Sequence, residues 1–476
     1  MIPEFLDWKF LPDLLLEQIF SYLPWRDRLS ASCTCILWNQ TFYSPRLWKE
    51  LIYIPPLYLE KYSTRFHYDN ATYNLSKCFR NIGYSFQNLF IPPTSDFFIL
   101  NRALNVMSDF YSSQNKKYRI DEEINPLCDF RSKLENFSFE FANQIENGSA
   151  YGTGGALLSS IRKLLDILSQ LKSLRLKGLL LTSEDRIGLL EGFIKNNKDS
   201  LLKLSLVDIS KSFTLEYDVI NFSNLTELEL SPFQICSDLL INVIQQTKIG
   251  TLILTQTSFT LFSEEFATLD PIPSYVWELV NNINPNLKVY QYNIFNNISE
   301  FVDLETVSII HQPRPAPITR YTFSSNNISL LDLSRLEQYY HTLAEIILVV
   351  NSATASSVCN VIDEDLLWIS SSSPNLVSLV IGGERISVHS LTVLFMLSVG
   401  CRKLKKLIIE MQTLIYNIDN ISPEIFPSSL SNDLIAASSS SELFRQAVSA
   451  SLKLPNWNTF TRQHFIKFIE KYNFIS

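Results

Sequence analysis

The 476-residue sequence predicts an α/β fold in which a short helical module precedes a long array of alternating strands and helices. Two observations support this prediction. Prolines punctuate three short amphipathic patterns in the first fifty residues, and the pattern L-x-x-L-x-L recurs at nearly regular intervals through the rest of the chain. With 46% hydrophobic and 18% charged residues, the chain is apolar enough to bury a large core.

Charge and composition exclude several classes of function. The formal charge of −8 lacks the basic excess that phosphate-backbone binding requires, so we expect no nucleic-acid partner. Apolar stretches such as 391–399 are shorter than the roughly 18 residues of a membrane span, so we expect no membrane partner. The seven scattered cysteines favour a reducing compartment, and the N-terminus has no secretory pattern. We therefore expect a soluble protein of the cytoplasm or nucleus.

Three short helices are predicted within the first fifty residues. The first covers 11–23 and ends at Pro24, the second covers 27–38, and the third starts with proline in its first turn and covers 44–51. A module of this size buries little surface by itself. We therefore expect it to leave an apolar face for another element or for a partner.

This segment resembles the F-box family over residues 6–53, about a tenth of the chain. The residues that carry the resemblance keep the family's ungapped spacing: Leu11-Pro12, Ile19-Phe20-Ser21-Tyr22-Leu23, Pro24, Asp27, Cys35 with Trp38, and Leu47-Trp48. The resemblance implies docking onto a Skp-family adaptor, which links the module to a cullin scaffold. It implies adaptor contacts at Leu11, Pro12, Leu15, Leu16, Ile19 and Leu23. It assigns to the module's own core Leu29, Cys35, Trp38, Leu47 and Trp48.

An alternative interpretation makes residues 11–51 a helical cap of the following domain, with all leucines and tryptophans in its core. Helical periodicity explains the positions of the leucines but not the fixed positions of the Pro, Asp, Cys and Trp residues between them. The positions of these Pro, Asp, Cys and Trp residues favour a docking module. Residues 54–130, which are rich in aromatic residues and lack a clear period, are interpreted as a helical connector.

From 131 to 440 the sequence predicts a degenerate leucine-rich-repeat solenoid with parallel strands inside and helices outside. Copies of the template begin at Leu171, Leu201, Leu225, Ile249, Leu376 and Leu404, and weaker copies begin at Leu134, Leu287, Leu304 and Leu343. Successive strong copies are separated by 30, 24 and 24 residues, and the last two by 28, close to the roughly 20–29 residues of this repeat. The alternative is that common leucines match by chance; ten copies argue against it.

Helical patterns between the templates complete the predicted repeats, and they cover 156–171, 237–247, 274–283, 363–370 and 388–399. Alternation within the templates predicts that charged residues at intervening positions face solvent: Lys172, Glu227, Glu229, Lys405 and Lys406. A helical cap is predicted at 441–476, where it would close the last strand's edge.

No arrangement of residues indicates catalysis. The five histidines are isolated from one another and from the cysteines, so we expect no metal and no cofactor. The sequence therefore predicts a non-catalytic substrate-recognition subunit of a Skp-cullin-F-box (SCF) ubiquitin ligase, which binds a target protein through the repeats. The alternatives are a leucine-rich-repeat scaffold without a ubiquitin role and an enzyme whose site assembles from distant residues.

Overall fold

The computed structural model divides the chain into two compact units. The first comprises Met1–Ser205, Ile209–Lys211 and Asn221–Leu225, and the second comprises Leu206–Asp208, Ser212–Ile220 and Thr226–Ser476. The structure describes residues 11–54, 65–94, 96–124, 133–142, 144–146, 149–211, 216–261, 271–295, 309–327, 330–351, 360–384, 386–388, 393, 396–397, 400–410, 457–460 and 463.

The first unit begins with a helical module of three α-helices and a 3₁₀ turn: α1 (Asp13–Tyr22), α2 (Trp25–Ser32), α3 (Ile36–Phe42) and the turn Pro45–Leu47. The first predicted helix is confirmed. The second is wrong as one element, because Cys35 is extended at φ −156° and separates α2 from α3. The third is wrong beyond its first turn, because Trp48 leaves helical geometry and the chain enters a strand at Glu50.

After this module, the first unit alternates strands with helices. The elements in chain order are β1 (Glu50–Ile52), α4 (Arg65–Ile82), a 3₁₀ turn (Gly83–Ser85), β2 (Asn88–Thr94), α5 (Phe97–Ile124), β3 (Asn136–Phe141), β4 (Gln144–Glu146), β5 (Ser149–Tyr151), α6 (Gly155–Ile167), β6 (Ser173–Lys177), α7 (Ser183–Arg186), α8 (Glu191–Asn197) and β7 (Lys203–Val207). The sheet order is β1-β2-β3-β6-β7, and the pairs from β1 to β6 are parallel. Strands β4 and β5 form a separate antiparallel hairpin. Neighbouring helices pack on one another, α5 on α6 and α6 on α8.

The second unit continues the alternation, after a 3₁₀ turn at Tyr217–Asn221. Its elements are β8 (Glu227–Leu230), a 3₁₀ turn (Pro232–Gln234), α9 (Ser237–Gln246), β9 (Thr251–Thr257), α10 (Ser258–Leu261), α11 (Ser274–Ile283), β10 (Lys288–Phe295), β11 (Ile318–Ser325), a 3₁₀ helix (Leu333–Tyr339), β12 (Glu345–Val350), β13 (Asn360–Val361), α12 (Asp363–Ser372), β14 (Ser378–Gly382), β15 (Ile386–Ser387), β16 (Lys406–Glu410) and β17 (Trp457–Phe460). The order β8-β9-β10-β11-β12-β14-β16-β17 is parallel throughout. The predicted fold class is confirmed in both units.

The repeat templates position the strands. Each strong copy begins two residues before its strand, as Leu171 precedes β6 and Leu404 precedes β16. The side chains of the strong copies are buried, with Leu174 and Leu176 fully so, and each contributes about 1.5–3 kcal/mol of stability. The weaker copy at Leu287 is wrong in its register: Val289 pairs with Leu252 of the preceding template, so Tyr290 and Tyr292 lie on the opposite face of the sheet. The weaker copy at Leu304 lies outside the described residues apart from its last position.

The parallel sheet extends beyond the predicted repeat region. Strand β2 lies inside the predicted helical connector and follows a template in which phenylalanine replaces the first leucine, Phe86-x-x-Leu89-x-Ile91; all three side chains are buried. Within the predicted repeat region, strand β11 carries a further copy that was not predicted, Ile318-x-x-Tyr321-x-Phe323, and its three side chains are also buried. Within the predicted C-terminal helical cap, the described residues 457–460 form strand β17 instead, paired with β16. The remaining residues of that cap, except 463, lie outside the described ranges.

Asparagine side chains join successive turns of the first unit. Asn197 is fully buried, and its amide donates to the carbonyls of Leu168 and Phe193 at 2.9 and 3.0 Å. Its side-chain oxygen accepts from the N–H of Leu171 at 2.8 Å. Asn224, just before a template, donates to the carbonyl of Asp199 in the same way. The bonds of Asn197 satisfy main-chain groups that water cannot reach. The bonds to Leu168, Leu171 and Asp199 hold one repeat on the previous one.

The second unit's sheet is apolar on both of its faces. Ile347 on β12 lies beside Val380 on β14, which lies beside Ile408 on β16, and these belong to a buried cluster on the face opposite the template leucines. The prediction that Glu229 faces solvent is therefore wrong: it is buried on this face, and its Oε1 accepts from the Thr255 hydroxyl at 2.8 Å. Lys172 and Lys405 are exposed, as predicted.

Burial of His311 makes the stability of the second unit dependent on pH. Burial disfavours the imidazolium and lowers the pKa of His311 to about 4; Arg335 adds to this effect and Asp332 opposes it. An unfolded histidine titrates near about 6.5, so the unfolded state binds the extra proton first as pH falls. Stability should therefore decrease from about pH 6.5 downward, by about 3 kcal/mol when pH 4 is reached.

The pH dependence of urea unfolding measures this contribution. We expect His311→Gln to reduce the loss of stability between pH 7 and pH 4.5, because the variant has no imidazole to protonate. His341→Gln is the matched control, because His341 is exposed in the segment between the 3₁₀ helix Leu333–Tyr339 and β12, and we expect this variant to keep the slope of the parent chain. Equal slopes for His311→Gln and the parent chain would contradict the assignment.

Candidate functional site

The first helix presents apolar side chains to solvent along one face. Leu15, Ile19 and Tyr22 follow the i, i+4, i+7 spacing of a single helical stripe, and they are 49%, 39% and 79% exposed. Leu14 beside them is also exposed. A water-soluble helix normally places such residues inward, so this face is a candidate docking surface.

The opposite face of α1 anchors the helix to its own module. Leu16 and Phe20 are fully buried. The Phe20 ring meets the edge of Trp38 on α3, with centroids 5.7 Å apart and planes inclined by 81°. Such edge-to-face pairs contribute about 0.5–1.5 kcal/mol beyond the burial of their area. The inward pair therefore determines which side chains of α1 remain outside.

Polar contacts hold α1 against the 3₁₀ turn that precedes β1. Glu17 accepts hydrogen bonds from the Ser44 hydroxyl and from Nη1 of Arg46, the latter at 3.2 Å. Trp48 donates its indole N–H to the carbonyl of Phe42 and packs edge-on against the Phe42 ring at 5.0 Å. These contacts connect the docking helix to the segment that enters the first strand.

Arg28 occupies the junction between α1, α2 and the 3₁₀ turn. Its guanidinium donates to three main-chain carbonyls: Nε to Leu23 at 2.8 Å, Nη1 to Leu47 at 2.9 Å and Nη2 to Ser21 at 3.1 Å. The same group lies 5.6 Å from the ring centroid of Trp48. Burial lowers the pKa of Arg28 from its ordinary value.

The structure separates the predicted adaptor contacts into two groups. Pro12, Leu15 and Ile19 are exposed, and Leu11 and Leu23 are partly exposed. Leu16 is fully buried, so its prediction as an adaptor contact is wrong: it lies one position round the helix from Leu15 and faces α1's own module.

The predicted module core is also revised. Leu47 is buried, and Cys35, Trp38 and Trp48 are partly buried. Leu29 is 46% exposed, so its assignment to the core is wrong. Sequence reasoning missed Tyr22 and Ile36 as exposed apolar residues.

The comparison with protein families decides the identity of this module. The model described as F-box-like matches residues 8–53. This segment is an F-box-like domain. The match begins before α1 and ends just after β1, so the F-box-like domain includes the docking face, its anchoring residues and the first strand. The resemblance inferred from the motif residues is confirmed over this range.

Curated relatives match a short segment of the chain. The F-box/LRR-repeat protein 21 of Mus musculus is 49% identical over 45 residues, which is 10% of this chain and 10% of that protein. Its counterparts in Bos taurus and Ovis aries are 47% and 44% identical over the same length. The matched segment thus spans a tenth of the length of these relatives.

Similar solved structures cover a larger share of the chain at low identity. The crystal structure of Rad7 in complex with Elc1 from yeast covers 79% of this chain and 89% of the matched chain, at 13% identity and a TM-score of 0.26. TLR13 in its complex with ssRNA13 covers 74% of this chain and 49% of its own, at 15% identity and a TM-score of 0.33. Both TM-scores are low, so the repeat fold is assigned here from the parallel strands and their templates.

A second candidate surface lies on the sheet of the second unit, on the face opposite the template leucines. Arg320 on β11 donates from Nε to Oε2 of Glu345 at 2.5 Å and from Nη1 to the hydroxyl of Tyr292 at 3.2 Å. Its guanidinium lies 4.5 Å from the ring centroid of Tyr290, which stacks on Tyr292. We call these four residues, with the exposed Lys288, the Arg320 patch.

Most of the Arg320 patch is exposed in part, whereas Tyr292 within it and the apolar residues on the neighbouring strands β14 and β16 are buried. Tyr290, Arg320 and Glu345 are partly exposed, whereas Val380 and Ile408 are buried. Burial raises the pKa of Tyr292 to about 12, so its phenol stays protonated at neutral pH. Tyrosine and arginine are the residue types most often found as binding hot spots, which makes this patch a candidate contact surface.

Across the described ranges, no group of three or more His, Cys, Asp or Glu residues is arranged to hold a metal ion. The helices within those ranges include none with the length and apolar character of a membrane span.

Proposed function

We propose that this chain is the substrate-recognition subunit of an SCF-type ubiquitin ligase. Its F-box-like domain docks onto a Skp-family adaptor and, through it, a cullin, and its leucine-rich repeats bind a target protein. The chain performs no bond chemistry in this role. It raises the effective concentration of target lysines near the ubiquitin-charged enzyme held elsewhere in the assembly.

The observation that carries the proposal is the exposed apolar stripe of α1 within an F-box-like domain. Among the residues of helices α1 to α3 whose exposure is described, six large apolar side chains are at least 39% exposed: Leu14, Leu15, Ile19, Tyr22, Leu29 and Ile36. Covering the exposed half of one such side chain contributes about 1 kcal/mol. A partner that covers the stripe therefore gains enough apolar burial to offset part of the entropy of association.

Target binding is assigned to the Arg320 patch. The planar guanidinium of Arg320 is already held in place by Glu345 and Tyr292, so little side-chain entropy is lost when a partner packs on it. Tyr290 and Lys288 extend the patch with an aromatic face and a positive charge. These features fit a protein surface with both apolar and acidic groups.

Adaptor binding is the direct test of the proposal. The full chain, co-expressed with a Skp-family adaptor, is expected to co-purify with it and to give a one-to-one complex in size-exclusion chromatography. A chain that is folded by circular dichroism and yet does not bind the adaptor would eliminate the ligase role. It would leave the leucine-rich-repeat scaffold without a ubiquitin role as the remaining interpretation.

Substitution of Arg320 tests the target-binding assignment. We expect Arg320→Ala to weaken target binding by about tenfold or more, because truncation removes the cation from Tyr290 and leaves Glu345 without its donor. Adaptor-dependent proximity labelling measures the effect as loss of labelled proteins. Arg335→Ala, which removes an arginine from the 3₁₀ helix of the same unit, is the control and should retain them. Identical labelling by both variants would show that the target binds outside the Arg320 patch.

A further inference from the structure

We propose that Arg28 is a positioning residue for adaptor docking: it holds the last turn of α1, which carries part of the docking face, in place against the module. The inference rests on the proposed function, because it concerns how the same surface is presented to the adaptor. It assigns a role to a residue that does not belong to the exposed stripe.

The last turn of a helix requires outside partners for its carbonyl groups. Helix α1 ends at Tyr22, and Leu23 is extended at φ −82° and ψ 139°, so the chain turns away after a single capping bond from the Leu23 N–H to the carbonyl of Phe20. Pro24 follows and has no N–H to offer. Carbonyl groups at such an end remain without intrahelical donors.

Arg28 supplies the missing donors from the next helix. Two of its three hydrogen bonds reach the end of α1, at the carbonyls of Ser21 and Leu23. A cationic donor is favoured there, because the helix dipole concentrates partial negative charge at the C-terminus. Bonds from a charged guanidinium are stronger than those between neutral groups.

The third hydrogen bond of Arg28 reaches outside the helices. The carbonyl of Leu47 accepts from Nη1, and Leu47 is a buried residue of the 3₁₀ turn directly before β1. The guanidinium also lies over the ring of Trp48. One side chain thus ties the end of the docking helix to the segment that enters the sheet, using a planar fork of donors that lysine does not possess.

The geometry predicts which part of the docking face depends on Arg28. Ile19 and Tyr22 lie within one turn of the two carbonyls that Arg28 holds. Leu14 lies two turns away, near the start of the helix, where Arg28 makes no contact among the described residues. Loss of Arg28 should therefore affect contacts made by Tyr22 and leave contacts made by Leu14 unchanged.

Adaptor affinity of the full chain, measured by calorimetry with a purified Skp-family adaptor, tests this role. We expect Arg28→Leu to weaken binding about tenfold, since the last turn must be ordered again on docking. Arg28→Lys should recover part of the loss, because one ammonium group can reach one carbonyl but cannot bridge three. Arg80→Leu removes an exposed arginine from α4 and is the charge control; it should bind like the parent chain.

A double-mutant cycle separates positioning from a general loss of stability. In the Arg28→Leu background, Tyr22→Ala should weaken binding by a smaller factor than in the parent chain, while Leu14→Ala should weaken it by the same factor in both. Hydrogen exchange should increase at residues 19–23 of Arg28→Leu and remain unchanged at 36–42. A purely structural role would leave the Tyr22 factor unaltered.

The outcomes distinguish this inference from the proposed function. If the parent chain binds the adaptor and Arg28→Leu binds within twofold of it, or the Tyr22 factor is equal in both backgrounds, Arg28 has no positioning role and the ligase proposal stands. If Arg28→Leu does not fold, Arg28→Lys takes its place, and its adaptor affinity and Tyr22 factor are compared with those of the parent chain. Absence of binding by the folded parent chain overturns both.

Discussion

Ile19→Asp is expected to abolish adaptor binding while the chain remains folded. Ile19 is 39% exposed at the centre of the α1 stripe, so aspartate is accommodated in the free protein at little cost. In the complex its carboxylate would be buried against apolar surface without a partner, at a cost of about 3 kcal/mol or more, which corresponds to at least about a hundredfold loss of affinity. Co-purification and calorimetry with a Skp-family adaptor measure this loss.

Two further variants make the Ile19 experiment specific. Ile19→Lys should lose binding to a similar degree, although a cation near a helix C-terminus is favourable, because the loss arises from desolvation rather than from the helix dipole. Tyr73→Asp removes an exposed aromatic side chain from α4 and should bind normally. Retained binding by both Ile19 variants would exclude the stripe as the adaptor site.

Gly383→Ala is expected to destabilise the second unit severely. Gly383 follows β14 with φ +116°, a backbone conformation that residues with a Cβ rarely adopt. A Cβ added there would overlap the carbonyl oxygen and carbon of Val350 at the end of β12. The Gly383 N–H also donates to Oε2 of the buried Glu410 at 2.6 Å, so the loop cannot move away without breaking this bond. We expect a loss of about 4 kcal/mol or more.

Gly250→Ala is the matched control for Gly383→Ala. Gly250 precedes β9 in the same unit, and the nearest atom to an added Cβ is the carbonyl oxygen of Thr226 at 4.0 Å. Its substitution should change the stability by less than about 1 kcal/mol. Urea unfolding followed by tryptophan fluorescence compares the two variants, since Trp277 is fully buried in this unit. Similar midpoints for both would show that the loop relaxes around the added methyl group.

Strand β1 joins the docking module to the sheet, and this determines where a deletion of the module should end. The predicted module boundary at residue 53 falls after β1, whose residues 50–52 pair with β2, and the N–H of Tyr53 donates to the carbonyl of Phe90. Removing residues 1–53 would expose the edge of β2 in addition to removing the helices. A deletion that ends at residue 48 leaves this first strand in place and tests the docking module alone.

Much of the fold was readable from local patterns. The spacing of Pro, Asp, Cys and Trp residues predicted the F-box-like module, and the leucine templates predicted β6, β8 and β16. These patterns are legible because each repeat uses the same alternation to bury the same positions. Strands β2 and β11 were missed because their copies do not begin with leucine: phenylalanine fills the first position in β2, and β11 has isoleucine there followed by two aromatic residues. These side chains are buried as the leucines of other copies are.

The orientation of side chains on α1 was decided only by tertiary contacts. Leu14, Leu15, Leu16 and Ile19 surround so much of the helix that the period alone does not show which of them faces inward. The contact between Phe20 and Trp38 settles this by turning Leu16 inside and leaving Leu15 in solvent.

The sequence by itself therefore determined the class of elements, their order and the presence of a docking module, because these follow from which residues recur at which spacing. The tertiary structure decided which face of each element is covered, as Glu229 shows by lying buried on a sheet face predicted to be wet. Arg28 shows the same point, since it joins the carbonyls of Ser21 and Leu23 at the end of α1 to that of Leu47, and only folding brings these two segments together. Whether a face is buried depends on residues that are distant in the chain, and the local spacing of residue types does not show which those are.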